Sequence, residues 1–562
     1  DQADQPRQDR RRRGGPRASL HLRGFTINEA NAEIVTEICR RLDGMPLAIE
    51  IASSRLSAMS LEELASRLKD RLEVLRSRQR EQAARQRTIH ALVEWSYDLL
   101  SEEERAVFRR FSVFAGGWTS EAGGAVCEDS AADPIETVSS LVDKSLVEYH
   151  HSTKRFRMLE PVRQFAAARL DDHPHHQAAR MAHARYFLAL AEQAATVLNQ
   201  GGLDQVIWHE RLSTEHDNLR VATATFLDEP APMVEPLRMA NSLRAFWEAH
   251  GFYQEGAEIC SRALDNCAPS LDPHQYGLTL CAAAAMADNV ADFDRAEEYG
   301  HAALDLATET DDSHVAASAT VAVCNCEMQT GRLESAVRRA NAFDISRISG
   351  DEIERLDFVK GVALFLAGDN ARSRVVFEGL VERLESKGNL RRLANAHLNL
   401  AAVEINESDY QSASVRLNKA LRLAASLGDE TMMSYLNLNH GVCAMLQGHP
   451  RFALARYREV LLADPASMGP ASQYAAVLGH ALCAAHDPGQ LETAARLHGC
   501  VDAYWDTGVT LLDPTEEQLR SDYRAQTKAA LGAIRFDELC ASGRLLSLAD
   551  AVALARTVQL GA

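Results

Sequence analysis

The chain has 562 residues, 60 Lys and Arg against 79 Asp and Glu, a formal net charge of −19 and 46% hydrophobic residues. That apolar fraction excludes global disorder, and the length calls for three or four domains, or fewer domains plus a repeat array. The longest nearly uninterrupted apolar run, Leu278 to Ala287, is about ten residues, far short of the roughly 18–20 needed to cross a bilayer, so a cytoplasmic protein is expected.

Residues 1–24 hold seven Arg and three Asp, show no periodicity and are expected to form a disordered leader. No apolar segment follows them, so neither a Sec nor a twin-Arg signal is expected. The remainder is strongly acidic and repels phosphate backbones, leaving nucleic-acid contact to a local basic patch at most. Eleven Cys are scattered with no C-x-x-C, which predicts reduced, buried thiols; Cys324-Asn325-Cys326 is the one close pair.

Helical spacing begins at Asn31, with Ile34, Val35, Ile38, Cys39 and Leu42 on one face. Asp43-Gly44 ends this helix, Pro46 restarts the chain, and a second apolar helix runs through Leu56. Ser60 with Glu63 and Ser101 with Glu104 are capping-box signals for the next helices. Between 95 and 170, Phe108, Phe111, Val113, Phe114 and Trp118 cluster around Gly116-Gly117. Leu141 to His150 then runs into a polar turn, and Arg155 to Leu159 alternates like a strand. A short hairpin after several helices outlines a winged helix.

From about 175 the chain reads as helical, with turn-like positions at Gly251, Asp292, Gly331, Gly368, Ser408, Gly448 and Gly489. Their spacing of 37 to 41 residues is the signature of a helical solenoid. A small residue sits five after the turn (Ala336, Ser373, Ala413, Ala453, Ala494), and Leu264, Leu304, Leu380, Leu421 and Leu461 recur twelve or thirteen after it. Tyr410 and Phe452 mark an aromatic position just past the turn. A helix pair of this kind cannot bury its apolar face alone and must stack on its neighbours. Asp513-Pro514-Thr515-Glu516 opens a C-terminal cap whose final helix is expected over 547–559.

Catalytic signatures are lacking in the sequence. No G-x-x-x-x-G-K-[ST] occurs and no Lys follows a Gly, so nothing cradles a triphosphate through backbone N–H groups and a Lys. His209-Glu210 has no second His in H-E-x-x-H spacing, and His173-Pro174-His175-His176 reads as a solvated connector. No catalytic or metal-ligating residues are assigned.

The run Ile38-Cys39-Arg40-Arg41-Leu42-Asp43-Gly44-Met45-Pro46-Leu47 resembles the G-x-P segment of NB-ARC-type STAND ATPases, in particular bacterial regulators of the AfsR/LuxR-like large ATPase group. Trp95-Ser96-Tyr97-Asp98-Leu99-Leu100, Phe111 to Gly117, Met158 to Ala166 and Glu215-His216-Asp217-Asn218-Leu219-Arg220 resemble further blocks of that group. The resemblance implies a mainly α protein: a helical subdomain over 25–94, a winged helix over 95–172, a helical connector over 173–250, TPR-like repeats over 251–510 and a helical cap over 511–562. It places Gly44, Pro46 and Leu47 at a vestigial nucleotide site, the proline against an adenine face. Met158, Leu159 and Glu160 fall where plant relatives carry a Met-His-Asp nucleotide-state sensor; here Leu replaces the imidazole, which points to a core role for Leu159.

The resemblance also puts the phosphate loop and Walker-B Asp upstream of residue 25, on a disrupted or separate segment or because the chain is a fragment. ADP and ATP are then cofactors of an intact parent and not of this chain alone. The implied function is the regulatory and sensor part of a signalling ATPase and transcriptional regulator, with a protein or small ligand on the concave face of the repeats. The alternative is a transcription factor that contacts DNA through Arg105, Arg109, Arg110, Lys144, Lys154, Arg155 and Arg157, among which several Glu and Asp lie interspersed.

Overall fold

The structure, a computed structural model, describes residues 28, 31–42, 46–57, 59–75, 81–128, 133–200, 204–348, 350–463, 470–506 and 514–560. The Arg-rich leader, Asp43-Gly44 and Asp513 lie outside these residues. The fold is mainly α: helices throughout, with one two-stranded antiparallel sheet among the described residues. The chain divides into two compact units, Asp1–Phe187 with Arg220–Ala222, and Leu188–Leu219 with Thr223–Ala562.

In the first unit, helix Ala32–Arg41 packs on Leu61–Leu75, and Pro46–Ser54 packs on Glu81–Asp98. Of the periodic face, Ile38 and Leu42 are in the core, while Ile34, Val35 and Cys39 are half-buried. The second helix stops at Ser54 and finishes as a 3₁₀ turn, Arg55–Ser57. Ser60 accepts from the Glu63 amide at 3.2 Å. The Ser101–Glu104 box closes in both directions.

Helix Glu102–Phe111 then packs on Pro134–Asp143 and Glu160–Asp171, with the short helix Ser120–Val126 beside it. Phe108, Phe111, Phe114 and Trp118 are each at most 1% exposed and form the aromatic centre of this three-helix core. Strands Glu148–His150 and Arg155–Arg157 pair with Tyr149 opposite Phe156. Trp118 adds a third rung by exchanging both backbone hydrogen bonds with Phe156 at 2.8 Å. Only 148–150 of the apolar run before the turn is strand, because Leu141 to Asp143 complete a helix.

The second unit is a helical solenoid. Left-handed residues break it at Gly251, Ala291, Gly331, Gly368, Ser408 and Gly448, with φ between 62° and 82°. The second turn is therefore centred on Ala291. Asp292 instead has φ −90° and caps the following helix, accepting from the Arg295 amide. Gly489 also differs: it lies in a 3₁₀ turn, Pro488–Gln490, capped by Asp487. Between repeats the chain turns at Asp311, Gly350, Gly388 and Gly428, and Asp312, Asn389 and Asp429 cap the helices that follow.

The small residues five after each turn, Ala336, Ser373, Ala413, Ala453 and Ala494, are fully buried, because there the two helices of a pair meet. The second recurrent position lies twelve after the left-handed residue and is occupied by Ala263, Ala303, Leu380, Ala420 and Val460, each at most 1% exposed. Leu304 and Leu421 sit one residue further on and are only half-buried. Tyr410 joins the core, whereas Phe452, two positions further along its helix, is 46% exposed. The C-terminal helices Pro514–Leu531, Ala533–Gly543 and Leu548–Arg556 complete the unit. The last is capped by Ser547 and ends three residues before its expected limit.

Candidate functional site

Pro46 opens helix Pro46–Ser54; Gly44 lies outside the described residues, and for Pro46 and Leu47 only the backbone is described. Met158 is 5% exposed, Leu159 is the half-buried residue before helix Glu160–Asp171, and Glu160 is exposed. The Glu160 carboxylate accepts from Arg163 at 2.8 and 2.9 Å and from Gln164 at 2.8 Å; the Arg163 bonds hold its pKa below the usual carboxylate range. Nearby, Ser54 Oγ donates to the Lys144 carbonyl at 3.3 Å.

The seven basic residues of the winged helix are mostly turned inward. Arg105 binds Glu102 and the Tyr97 and Asp98 carbonyls, and Arg109 donates to the Tyr97 hydroxyl at 2.6 Å. Arg110 donates to the Val126 carbonyl at 2.9 Å and Arg155 to the Gly117 carbonyl at 3.0 Å. Lys144 pairs with Glu104. Burial works to raise the pKa of that carboxyl, but bonds from Lys144, Ser140 and Ser101 hold it below the ordinary value. Lys154 and Arg157, both on the hairpin, stand exposed and make no side-chain hydrogen bond or ion pair among the described residues. The third helix, Pro134–Asp143, turns Ile135, Glu136, Ser139 and Asp143 outward and carries no basic residue.

In the second unit the solenoid turns back on itself. The Gln205 side chain donates to the Leu198 carbonyl at 2.9 Å and to Asn389 Oδ1 at 3.4 Å, and accepts from the Leu390 amide at 3.1 Å. Asn389 donates to the Asn199 carbonyl at 3.3 Å, and Arg391 to the Glu248 carbonyl at 3.0 Å. This closure encloses a cavity of about 380 Å³ that draws residues from Ala195 to Asn395. The volume falls in the range of small-molecule sites.

Its walls hold four arginines, Arg244, Arg355, Arg391 and Arg392, against two glutamates, Glu248 and Glu354. Arg244 pairs with Glu248 at 2.9 Å, Arg391 with Asp429 at 2.8 Å, and Arg392 and Lys387 with Glu354 at 3.3 and 2.6 Å. Burial works against the Glu248 charge, but Arg244 and Arg391 hold its pKa below normal. Sequence reasoning placed a ligand on the concave face but picked none of these residues. They lie in different repeats, and their charges read as ordinary solvated positions.

Cys324 and Cys326 do not form a site: the first thiol donates to the Ala336 carbonyl at 3.6 Å and the second to the Phe293 carbonyl at 3.5 Å. Burial pushes them up to about 12 and about 11. Among the described residues no group of three or more His, Cys, Asp or Glu could hold a metal, and no helix is long and apolar enough to cross a membrane.

Residues 100–171 are a winged helix-turn-helix domain, matching the family model of that description. The chain is similar to a protein of Mycobacterium tuberculosis (strain ATCC 25618 / H37Rv) named as an HTH-type transcriptional regulator, 38% identical over 259 residues, 44% of this chain. It is also similar to an uncharacterized protein of the same strain, 38% identical over 154 residues, 26% of this chain. The chain spans 28% and 39% of the length of these relatives. Among solved structures it is similar to the Signal Transduction ATPase with Numerous Domains (STAND) protein with a tetratricopeptide repeat sensor from Pyrococcus horikoshii. That match has 15% identity, covers 88% of this chain and 74% of the other, and has a TM-score of 0.42. A Rap protein complexed with Competence and Sporulation Factor matches with 12% identity over 67% of this chain and 93% of its own, TM-score 0.41.

Proposed function

We propose that this chain is the regulatory and signal-receiving part of a cytoplasmic STAND-type transcriptional regulator. The solenoid receives a protein or small ligand on its concave side. The winged helix passes the state on through protein contacts and does not read DNA itself. The observation that carries this reading is the surface of helix Pro134–Asp143, the element that enters the major groove in DNA-reading relatives of the fold. Its outward residues, Ile135, Glu136, Ser139 and Asp143, offer an apolar and acidic face to a polyanion. Arg105, Arg109, Arg110 and Arg155, which could have compensated, are spent on carbonyls, a carboxylate and a hydroxyl close by, leaving Lys154 and Arg157 on the hairpin. Nucleotide chemistry is assigned to another domain of the intact regulator, as the resemblance of the Gly44-Met45-Pro46 segment to the G-x-P motif implies.

The test is fluorescence anisotropy of labelled duplexes titrated with the chain at low and physiological salt. Phosphate-driven binding falls steeply with salt, by roughly one power of the salt concentration for each phosphate neutralised. Weak binding, unchanged in the K154A/R157A variant, is the expected result. Tight binding that the double substitution abolishes would overturn the reading in favour of direct DNA contact through the hairpin.

A further inference from the structure

Three of the four cavity arginines have a carboxylate partner. Arg355 has none, and no hydrogen bond either, among the described residues. It is half-buried and lines the cavity. Burial, with the positive charge of Arg244 beside it, pushes its pKa down to about 10, so it remains a cation at neutral pH. Glu248 lies within reach of its field but is already held by Arg244. An uncompensated guanidinium in such a place is costly to the fold unless something anionic joins it.

A second observation points the same way. Ser318, 4% exposed and also in the cavity wall, has a buried hydroxyl with no hydrogen-bond partner. Asn325, half-buried, is on the same wall. Buried polar groups are almost always satisfied in a folded protein, so an unmet hydroxyl on a residue of the wall beside a guanidinium without a carboxylate marks this part of the wall as the place for an acceptor. Leu278, Val321 and Phe358 contribute apolar surface to a wall that also carries Asn241, Ser242 and His314.

We propose that the closed solenoid binds a small anionic metabolite, with its carboxylate or phosphate on Arg355 and Ser318 and its apolar part against Val321 and Phe358. This rests on the solenoid being the signal-receiving part, and it names the chemistry of the signal. A guanidinium offers paired N–H donors that match either oxyanion, and a hydroxyl supplies a further donor.

The experiment is thermal unfolding of the purified chain in sodium phosphate or sodium citrate, each against sodium chloride at matched ionic strength, for the wild type, R355Q, S318A and R338Q. Arg338 is an exposed repeat arginine, 72% accessible, and serves as the control. In chloride, R355Q is expected to melt at or above the wild-type temperature, since it removes a half-buried charge that has no carboxylate bound to it among the described residues. Phosphate or citrate is expected to raise the wild-type Tm by about 2–4 °C, as a ligand at many times its Kd does. That rise persists in R338Q, shrinks in S318A and vanishes in R355Q. No rise in the wild type with either anion, an equal rise in R355Q, or an R355Q that melts well below the wild type in chloride would each overturn the proposal. The readout involves neither DNA nor a partner protein, so failure here is distinct from failure of the regulatory reading.

Discussion

Gly499 lies against the carbonyl oxygen of Cys540 so closely that a Cβ at Gly499 would come within 2.1 Å of it. The contact is reciprocal: a Cβ at Gly543 would lie 2.0 Å from the Arg496 carbonyl oxygen. Helices Leu491–Trp505 and Ala533–Gly543 therefore touch backbone to backbone. One methyl group forces them apart, and overpacking of this kind costs about 1–3 kcal/mol. G499A is expected to lower the urea midpoint accordingly. G124A, in a helix where an added Cβ meets nothing within 4 Å, is expected to raise stability by about 0.5–1 kcal/mol. Equal effects of the two substitutions would refute the close approach.

Asp429 performs two tasks while 3% exposed: it accepts from Arg391 Nε at 2.8 Å and caps its helix by accepting from the Met432 amide at 2.8 Å. D429N removes the nearer of the two counter-charges of Arg391, leaving Glu248, and takes the charge from a carboxylate that is 2% accessible; breaking a fully buried pair costs about 3–5 kcal/mol, and this half-buried one is expected to cost about 2–3 kcal/mol. Glu334, 92% exposed and paired with Arg338, is the contrast: E334Q should stay within about 0.5 kcal/mol of the wild type. Chemical denaturation of the three proteins side by side decides the point.

Five buried histidines set the acid limit. Burial lowers His209, His397, His440 and His480 to about 4 and His498 to about 3, with Arg524 and Arg520 adding to the effect at His498. The native state keeps these rings neutral, whereas the unfolded chain protonates them near 6.5. Their stabilisation is therefore complete above about pH 6.5 and is lost as pH falls towards 4, by up to roughly 2–3 kcal/mol apiece. Asp288, raised by burial to about 6, acts in the opposite direction and offsets part of the loss. Tm is expected to drop steeply between pH 6.5 and pH 5 and to be flat from pH 7 to pH 8. A flat profile down to pH 5 would contradict the buried, neutral state of these rings.

ADP or ATP with Mg²⁺ is expected to leave the Tm of this chain unchanged. Binding at 100 to 1,000 times the Kd would add about 2.7–4.1 kcal/mol and shift the transition by several degrees. Such a shift, lost in a P46A variant, would show that the segment around Pro46 forms a working nucleotide site.

The repeat array was legible because a left-handed turn every 37 to 40 residues needs Gly or another tolerant residue, and a helix crossing needs a small one. The phase slipped by one at the second turn, where Ala291 adopts φ 62° and the neighbouring Asp292 drew attention with a turn-like side chain that is in fact a cap. The winged helix was legible from its aromatic cluster and hairpin. Its basic residues misled: composition counts Arg105, Arg109 and Arg110 as surface charge, yet each is bound to a neighbour of its own domain. The cavity was not legible at all. Gln205 and Asn389 are 184 positions apart, and no local periodicity encodes which distant repeats will meet.

That meeting of Gln205 with Asn389 changes the mechanics of the unit. An open stack of repeats transmits force and disorder only from one neighbour to the next, so its ends can fray independently. A stack fastened across one of its own turns cannot do so there: the segments around Leu198 and Asn389 open only together, and a molecule lodged among Arg244, Arg355 and Arg391 would brace helices from several repeats at once.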